Sequence, residues 1–530
     1  MSIRNASTSE APTLTGISPA QARKAGYAAF VGTTIEWFDF FIYGTASALV
    51  LGKLFFPDVS PAVGTLAAFA TFAVGFIARP LGGIVFGHFG DKFGRKNTVI
   101  TTLLLMGAAT VGVGLLPTYA QIGVAAPILL VLLRVIQGVA MGGEWGGAVL
   151  IATEFAPPKK KILYGAFAQQ GAPVGNLLAT LAFLGLTFLS NEAFSSWGWR
   201  LPFLASAVLI FIGLYIRLHI TETPEMVKAI ESKSQKRVPL VEILRDHSGV
   251  VLLACGAVVA GVALTYVKTT FALSWATKDL GFTRTEFLQV ITVALIAQIV
   301  IQPFGAILAT KIDMRKAILW VLLPEIVLLP FMFVMIKTGS IGLAMVGMVL
   351  ATVPTCMYYS MLAGFLAQLF PAHIRYTGIS LAYQLSTAVF AGTAPFMSQM
   401  LLNINGSIWP VVCLAIGYIV LSFVCMMVLL SGKAWKTRDG QPVAALASIA
   451  RIRPRPPIEI GRSGADSSWA GKVIGRAAAR GWAAVPDQSA AVCGKAFFAS
   501  ATTVRRASEG LESRQANATG SEMSDSMSGR

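Results

Sequence analysis

Long apolar runs recur along the chain, each about the length a helix needs to cross the hydrocarbon of a bilayer. No water is available there for backbone N–H and C=O groups, so such runs fold as helices that satisfy their own hydrogen bonds. A ruler of about 20 residues predicts twelve spans, near 26–50, 62–86, 98–117, 122–150, 163–190, 200–218, 248–273, 286–309, 317–336, 341–366, 377–401 and 409–431. Charged residues make up only 13% of the chain, where a soluble domain carries roughly 25%. The expected fold is an all-α polytopic membrane protein with twelve transmembrane helices, and the lipid bilayer is its first partner.

The net charge of +17 would point to nucleic acid in a soluble chain. Here it follows the connections between spans, so no nucleic-acid partner is expected. One set of connections holds nineteen Lys/Arg, among them Arg23, Lys24, Lys92, Lys159, Lys236, Arg315 and Arg375; the opposite set holds five, Lys53, Arg200, Lys278, Arg284 and Lys337. Positive residues stay on the cytoplasmic side, which puts both termini in the cytoplasm and requires an even number of spans. The expected location is the cytoplasmic (inner) membrane, crossed many times. The first 25 residues are polar and show no cleavable signal pattern.

The spans divide into two sixes. The expected organisation is a cytoplasmic tail over 1–25, a six-helix half over 26–218, a cytoplasmic linker over 219–247, a second half over 248–432 and a disordered cytoplasmic tail over 433–530. Phe155 to Gln170 (FAPPKKKILYGAFAQQ) and Phe370 to Gln384 (FPAHIRYTGISLAYQ) echo one another, each running from a Pro-containing basic loop to Gly165 or Gly378 and then to a Gln. A duplicated half with a polar linker is the plan of an alternating-access carrier.

Charges inside spans are costly, so each is a functional suspect. The deep acids are Glu36, Asp39, Glu144 and Glu325; the deep bases are Arg79, Arg134 and Lys268. Glu36 and Asp39 share a face of the first helix, with Asp39 some 20 Å from the helix start. Arg134, entering from the other side, reaches a similar depth. Such a pair fits either a carboxylate that binds and releases a proton against a movable cation or a static ion pair. Lys268 reads as a snorkelling residue near an outer helix end, or as a contact for a substrate anion. Glu325 shows no evident partner. Gly138, Gly142, Gly143, Gly146 and Gly147 let the fourth helix approach a neighbour closely. None of the five cysteines forms a CxxC pair, and neither a nucleophile–base pair nor a metal-ligand cluster appears. No catalytic residue, metal or cofactor is therefore expected.

GHFGDKFGRK (87–96) resembles the signature loop between helices 2 and 3 of the major facilitator superfamily. RVIQGVAMGGEWGG (134–147) is similar to that superfamily's fourth-helix motif in the form typical of its metabolite:proton symporter family. GTTIEWFDFFIYG, ARPLGG, WGWRLPF and LFPAHIRYTGISLAYQ support the same likeness, which covers residues 25–430. The resemblance implies proton-coupled import of a small organic acid or a zwitterion. It implies Asp39 and Arg134 as the coupling pair, with the proton as coupling ion; Glu36, on the same helix face, is a further proton-coupling candidate. It also implies an inner-gate charge network of Asp91, Arg95, Glu144 and Glu154, and Arg79, Gly87, Gly94, Lys96 and Arg375 are expected in the same cytoplasmic gate.

The expected function is secondary active import of a small carboxylate by proton symport, in a protein acting as a monomer. The substrate is expected at mid-membrane between helices 1, 4, 7 and 10, with Arg134, Lys268, Gln170 and Gln384 as candidate contacts. Two rivals are a carrier of proline- or betaine-like zwitterions and, from another class, a receptor or channel.

Overall fold

The computed structural model describes residues 19–93, 95–142, 149, 152–153, 161–218, 239–370 and 374–431. These are helical apart from short connections, with no strand among the described residues. Helix α1 is Pro19–Ala46, carried on by a π-helical turn, Ser47–Leu51, to Gly52–Phe55. Helix α2 runs Pro61–Ile77 and continues as Arg79–Phe93, α3 is Arg95–Leu115 and α4 is Ala125–Met141. Helix α5 joins Lys161–Gln169 to Gly171–Gly185, and α6 is Leu201–Leu218. In the second half, α7 is Ser248–Tyr266, a π turn Val267–Phe271 and Ala272–Asp279. Helices α8, α9 and α10 are Arg284–Lys311, Met314–Lys337 and Ile341–Leu369. Helix α11 joins Arg375–Ser386 through a π turn, Thr387–Ala391, to Ala394–Asn405, and α12 is Trp409–Ser431.

Ten of these rods are long and apolar enough to cross a membrane; two further apolar stretches, Ile100–Leu115 and Ala125–Met141, are shorter. Polar caps mark where the chain leaves the apolar layer. Ser60 accepts from Val63 N ahead of Pro61, Asp313 accepts from Arg315 N, and Thr283 and Glu286 form a reciprocal capping box. Gly406, at φ 62°, ends α11 in the left-handed region.

The two sets of six helices pack by one plan. Helix α1 lies on α5 and α6, α3 on α4 and α6, and α2 on α4; likewise α7 lies on α11 and α12, α9 on α10 and α12, and α8 on α10. Between the sets, α5 meets α8 and α2 meets α11. Exchanging the halves turns one of these contacts into the other, as a pseudo-two-fold axis requires. Glycine permits the closest crossings: a Cβ on Gly138 would overlap the carbonyl oxygen of Gly75, and one on Gly82 would overlap that of Val139. The α8–α10 crossing repeats this, with Gly305 against the carbonyl of Met357.

Candidate functional site

Asp39 is fully buried on α1 and is held by hydroxyl donors. Ser206 Oγ of α6 donates to one carboxylate oxygen at 2.5 Å and Thr110 Oγ1 of α3 to the other at 3.1 Å. Thr110 accepts in turn from Gln137 Nε2 at 2.7 Å, and the Gln137 amide oxygen accepts from Arg134 Nη1. Asp39 and Arg134 are therefore joined through two intervening side chains, with no direct ion pair between them. Gln137 follows Arg134 by three residues, about one helical turn, and that spacing is the sequence signal for its role. Thr110 and Ser206 had no such signal.

Arg134 is also fully buried. Its guanidinium stands 4.0 Å from the Tyr43 ring centre and donates to the Phe72 carbonyl at 3.2 Å. Ring faces hold a desolvated cation by their quadrupoles. Gly75 supplies the space, since a Cβ there would overlap the guanidinium. Arg79 is lodged the same way, 4.1 Å from both Phe40 and Phe76. Helix α2 continues fourteen residues past it to Phe93, about 21 Å at 1.5 Å per residue. Arg79 is thus packed inside the helix bundle, well short of the end of α2. Buried Glu36 and the hydroxyls of Tyr266, Tyr359 and Tyr383 lie within its electrostatic reach.

Lys268 and Glu325 overturn two expectations. Lys268 does not snorkel: it is buried and pairs with Glu325 at 3.5 Å, their side chains 4% and 0% exposed. Its Nζ also donates to Ala351 O at 2.9 Å and Thr355 Oγ1 at 2.7 Å, while Thr355 donates to Glu325 Oε1 at 2.7 Å. The physical reason is helix length. Helix α7 continues to Asp279, eleven residues beyond Lys268, about 17 Å along the axis and farther than the side chain can reach. The cluster joins α7, α9 and α10, the counterparts of the α1, α3 and α4 that hold Asp39, Thr110, Gln137 and Arg134.

Two small adjoining cavities lie between these clusters, with room for a water or two. One is walled by α7, α8 and α10 and lined by Lys268, Thr355, Cys356 and Tyr359; the other is lined by Trp37, Phe41, Asn176, Tyr266 and Gln298. Trp37 Nε1 and Asn176 Nδ2 have no protein partner. Arg134 lines neither cavity, because Phe40, Tyr43 and Phe72 enclose it. Helix α4 lines neither cavity.

Gln170 and Gln384 clasp the halves together. Gln170 Nε2 donates to the Ile299 carbonyl of α8 at 2.7 Å, and Gln384 Nε2 to the Gly142 carbonyl after α4 at 3.2 Å. At the end of the bundle where α2 meets α3, Gly165 of α5 crosses Gly364 of α10, and a Cβ on Gly165 would stand 3.1 Å from Gly364 N. At the opposite end, Lys278 donates to Thr65 at 2.7 Å, and the Arg284 guanidinium lies 3.8 Å from the Phe194 ring. The halves therefore touch at both ends.

Residues 25–238 match the family model of sugar (and other) transporters. The chain is 41% identical over 382 residues to the inner membrane metabolite transport protein YhjE of Escherichia coli, covering 71% of this chain and 86% of that one. It is 39% identical to the shikimate transporter of the same organism, covering 74% and 91% of the two chains. To the proline/betaine transporter of Salmonella typhimurium it is 34% identical, covering 74% and 80%. The chain belongs to the major facilitator superfamily, among its metabolite transporters. In fold it is similar to a solved D-xylose-proton symporter, with a TM-score of 0.60 at 16% identity over 76% of this chain and 97% of the other. The protein is accordingly a membrane transporter and not an enzyme.

Within this major facilitator fold, the signature loop is described only in part. Gly87 and Asp91 fall on α2, and Arg95 and Lys96 on α3, as backbone alone, while Gly94, Glu144 and Glu154 lie outside the described residues. Arg375 opens α11, where its Nε donates to the Phe370 carbonyl at 3.2 Å.

Proposed function

We propose that this transporter imports a small organic acid together with a proton, by alternating access between its two halves. The observation that carries the reading is the buried Asp39 carboxylate, linked by Thr110 and Gln137 to the Arg134 guanidinium. A carboxylate held by neutral hydroxyls gains a proton without breaking an ion pair. The change then reaches Arg134 through rotation of two side chains, and Arg134 is anchored on α2, a helix that faces the other half. Relatives named for shikimate and for metabolite transport support the substrate class. In the orientation proposed here, both termini and the α2–α3 loop face the cytoplasm.

A second reading has its own support. The Trp37, Phe41 and Tyr266 surfaces beside the cavity suit a quaternary or secondary ammonium, as aromatic cages do, and a relative is named for proline and betaine.

Uptake by proteoliposomes separates the two. Labelled shikimate, oxoglutarate, citrate, benzoate, proline and betaine would each be offered with and without an inward proton gradient. Uphill accumulation of an acid that stops when the gradient collapses is the expected result. Uptake of betaine or proline alone would favour the second reading, and saturable uptake indifferent to protons would remove the coupling role from Asp39.

A further inference from the structure

The Lys268–Glu325 pair has no part in the Asp39 relay, yet Lys268 and Thr355 line the small cavity walled by α7, α8 and α10. Glu325 stands behind them. Its Oε1 takes the Thr355 hydroxyl and the ammonium, while its Oε2 is buried without a hydrogen-bond partner. A structural ion pair satisfies both oxygens, because an unpaired lone pair in the interior is costly. One oxygen here is left open to a proton, and the ammonium beside it is open to the cavity.

The titratable surroundings are few. Lys268 faces Glu325 from α7 and the Cys356 thiol from α10. Helix α12 has no charged residue in its sequence. Its Tyr418 packs on Phe390, and its Cys425 sits at Gly256. Helix α8 carries its charges, Arg284, Glu286 and Lys311, only in its first and last turns.

Resting on the proton-symport reading, we infer that Lys268 is the binding cation for the substrate's carboxylate, and that Glu325 is exchanged for it by taking up one proton. Charge balances at each stage. Lys268 ammonium with Glu325 carboxylate is neutral, and Lys268 ammonium with a substrate carboxylate and a protonated Glu325 is neutral again. The proton comes from water at the open side and bonds to Glu325, and the Thr355 hydroxyl turns from Glu325 to the incoming anion. On the far side the substrate leaves as an anion, Glu325 returns its proton to water, and the ion pair re-forms. The substrate class is a monocarboxylate, whose anion meets the Lys268 ammonium beside Thr355 and Cys356 once the halves part and the cavity widens.

The test is thermal stabilisation of the purified full-length protein by benzoate and shikimate, against their methyl esters, between pH 5 and 8. An Asp39→Asn/Glu36→Gln background removes the other two buried carboxylates among the described residues from the titration. The half-saturation concentration for the acids should rise about tenfold per pH unit above the Glu325 titration, the slope of one linked proton. Glu325→Gln should flatten that slope while keeping binding. Lys268→Gln should weaken the acids on the order of 100-fold and leave the esters unchanged. Should a single variant fail to fold, the exchange Lys268→Glu/Glu325→Lys keeps a pair, and it should fold but lose the acids. A wild-type slope in Glu325→Gln, acid binding by the exchanged pair, or no stabilisation of the starting protein by either acid would each overturn the inference. Failure of the symport reading is distinct, since it would appear as lost uphill accumulation with the proton-linked binding intact.

Discussion

Gln170 donates its hydrogen bond to the Ile299 carbonyl, the one that Pro303 deprives of a helical partner. Proline has no N–H, so the carbonyl four residues earlier in α8 is left open. The side chain that fills the gap comes from the other half of the molecule. One proline thus creates an acceptor at the interface, and one glutamine uses it to hold α5 against α8.

Replacing Gln170 by Leu takes the partner from a carbonyl in a half-buried stretch, at a cost of up to about 1–3 kcal/mol. The Tm of the detergent-solubilised protein should fall. Pro303→Ala restores a backbone N–H to Ile299, so the double variant should regain most of the loss. Equal losses in the single and the double variant would show that the two residues are not coupled.

Asp39→Asn keeps one of the two hydroxyl donors supplied with an acceptor and removes the titrating group. Exchange of substrate across proteoliposomes without a gradient should persist, while the accumulation ratio under an inward proton gradient falls below that of the unaltered protein, because only the proton taken up at Glu325 remains coupled. Thr110→Val cuts the relay and should lower accumulation without touching either charged residue.

The Gly165–Gly364 crossing admits no side chain without displacement: a Cβ on Gly364 would stand 2.5 Å from Ile162 Cα. Gly364→Leu should hold the α2–α3 end apart. Net transport should be lost, and a cysteine at position 162 should become reactive to water-soluble maleimide. Unchanged labelling and transport would mean that this crossing is not a gate.

The glycines divide into two kinds that a paired substitution would expose. Gly138→Ala forces α4 off the Gly75 carbonyl, and overpacking of this sort costs typically 1–3 kcal/mol. Gly417→Ala on α12 meets nothing within 4 Å and should leave Tm and uptake unchanged.

The spans were legible because a bilayer imposes one length and one composition on every helix that crosses it. Their ends were not. The run 248–273 was read as a span, whereas α7 is helical to Asp279; the ruler measures hydrocarbon, and helices continue past it into polar surroundings. That shortfall misplaced Lys268. Its partner Glu325 lies fifty-seven residues away on a helix whose facing side depends on packing, and no local pattern reports such a register. Gln137 was readable from its spacing to Arg134. The encounter of Asp39 with Ser206, across the α1–α6 contact, was not. Of the Gln170–Gln384 echo, the repetition was visible, but the carbonyls these side chains hold became evident only with the halves assembled.

The π turns at Ser47–Leu51, Val267–Phe271 and Thr387–Ala391 occupy the stretches of α1, α7 and α11 that run toward the Lys278–Thr65 end. Each contains one residue more per turn than the ladder around it, so each is a joint at which the rod beyond can be re-aimed with little loss of hydrogen bonding. The turns of α1 and α7 touch one another across the pseudo-axis. That end of the bundle therefore carries paired knuckles, which the glycine crossing at the other end lacks.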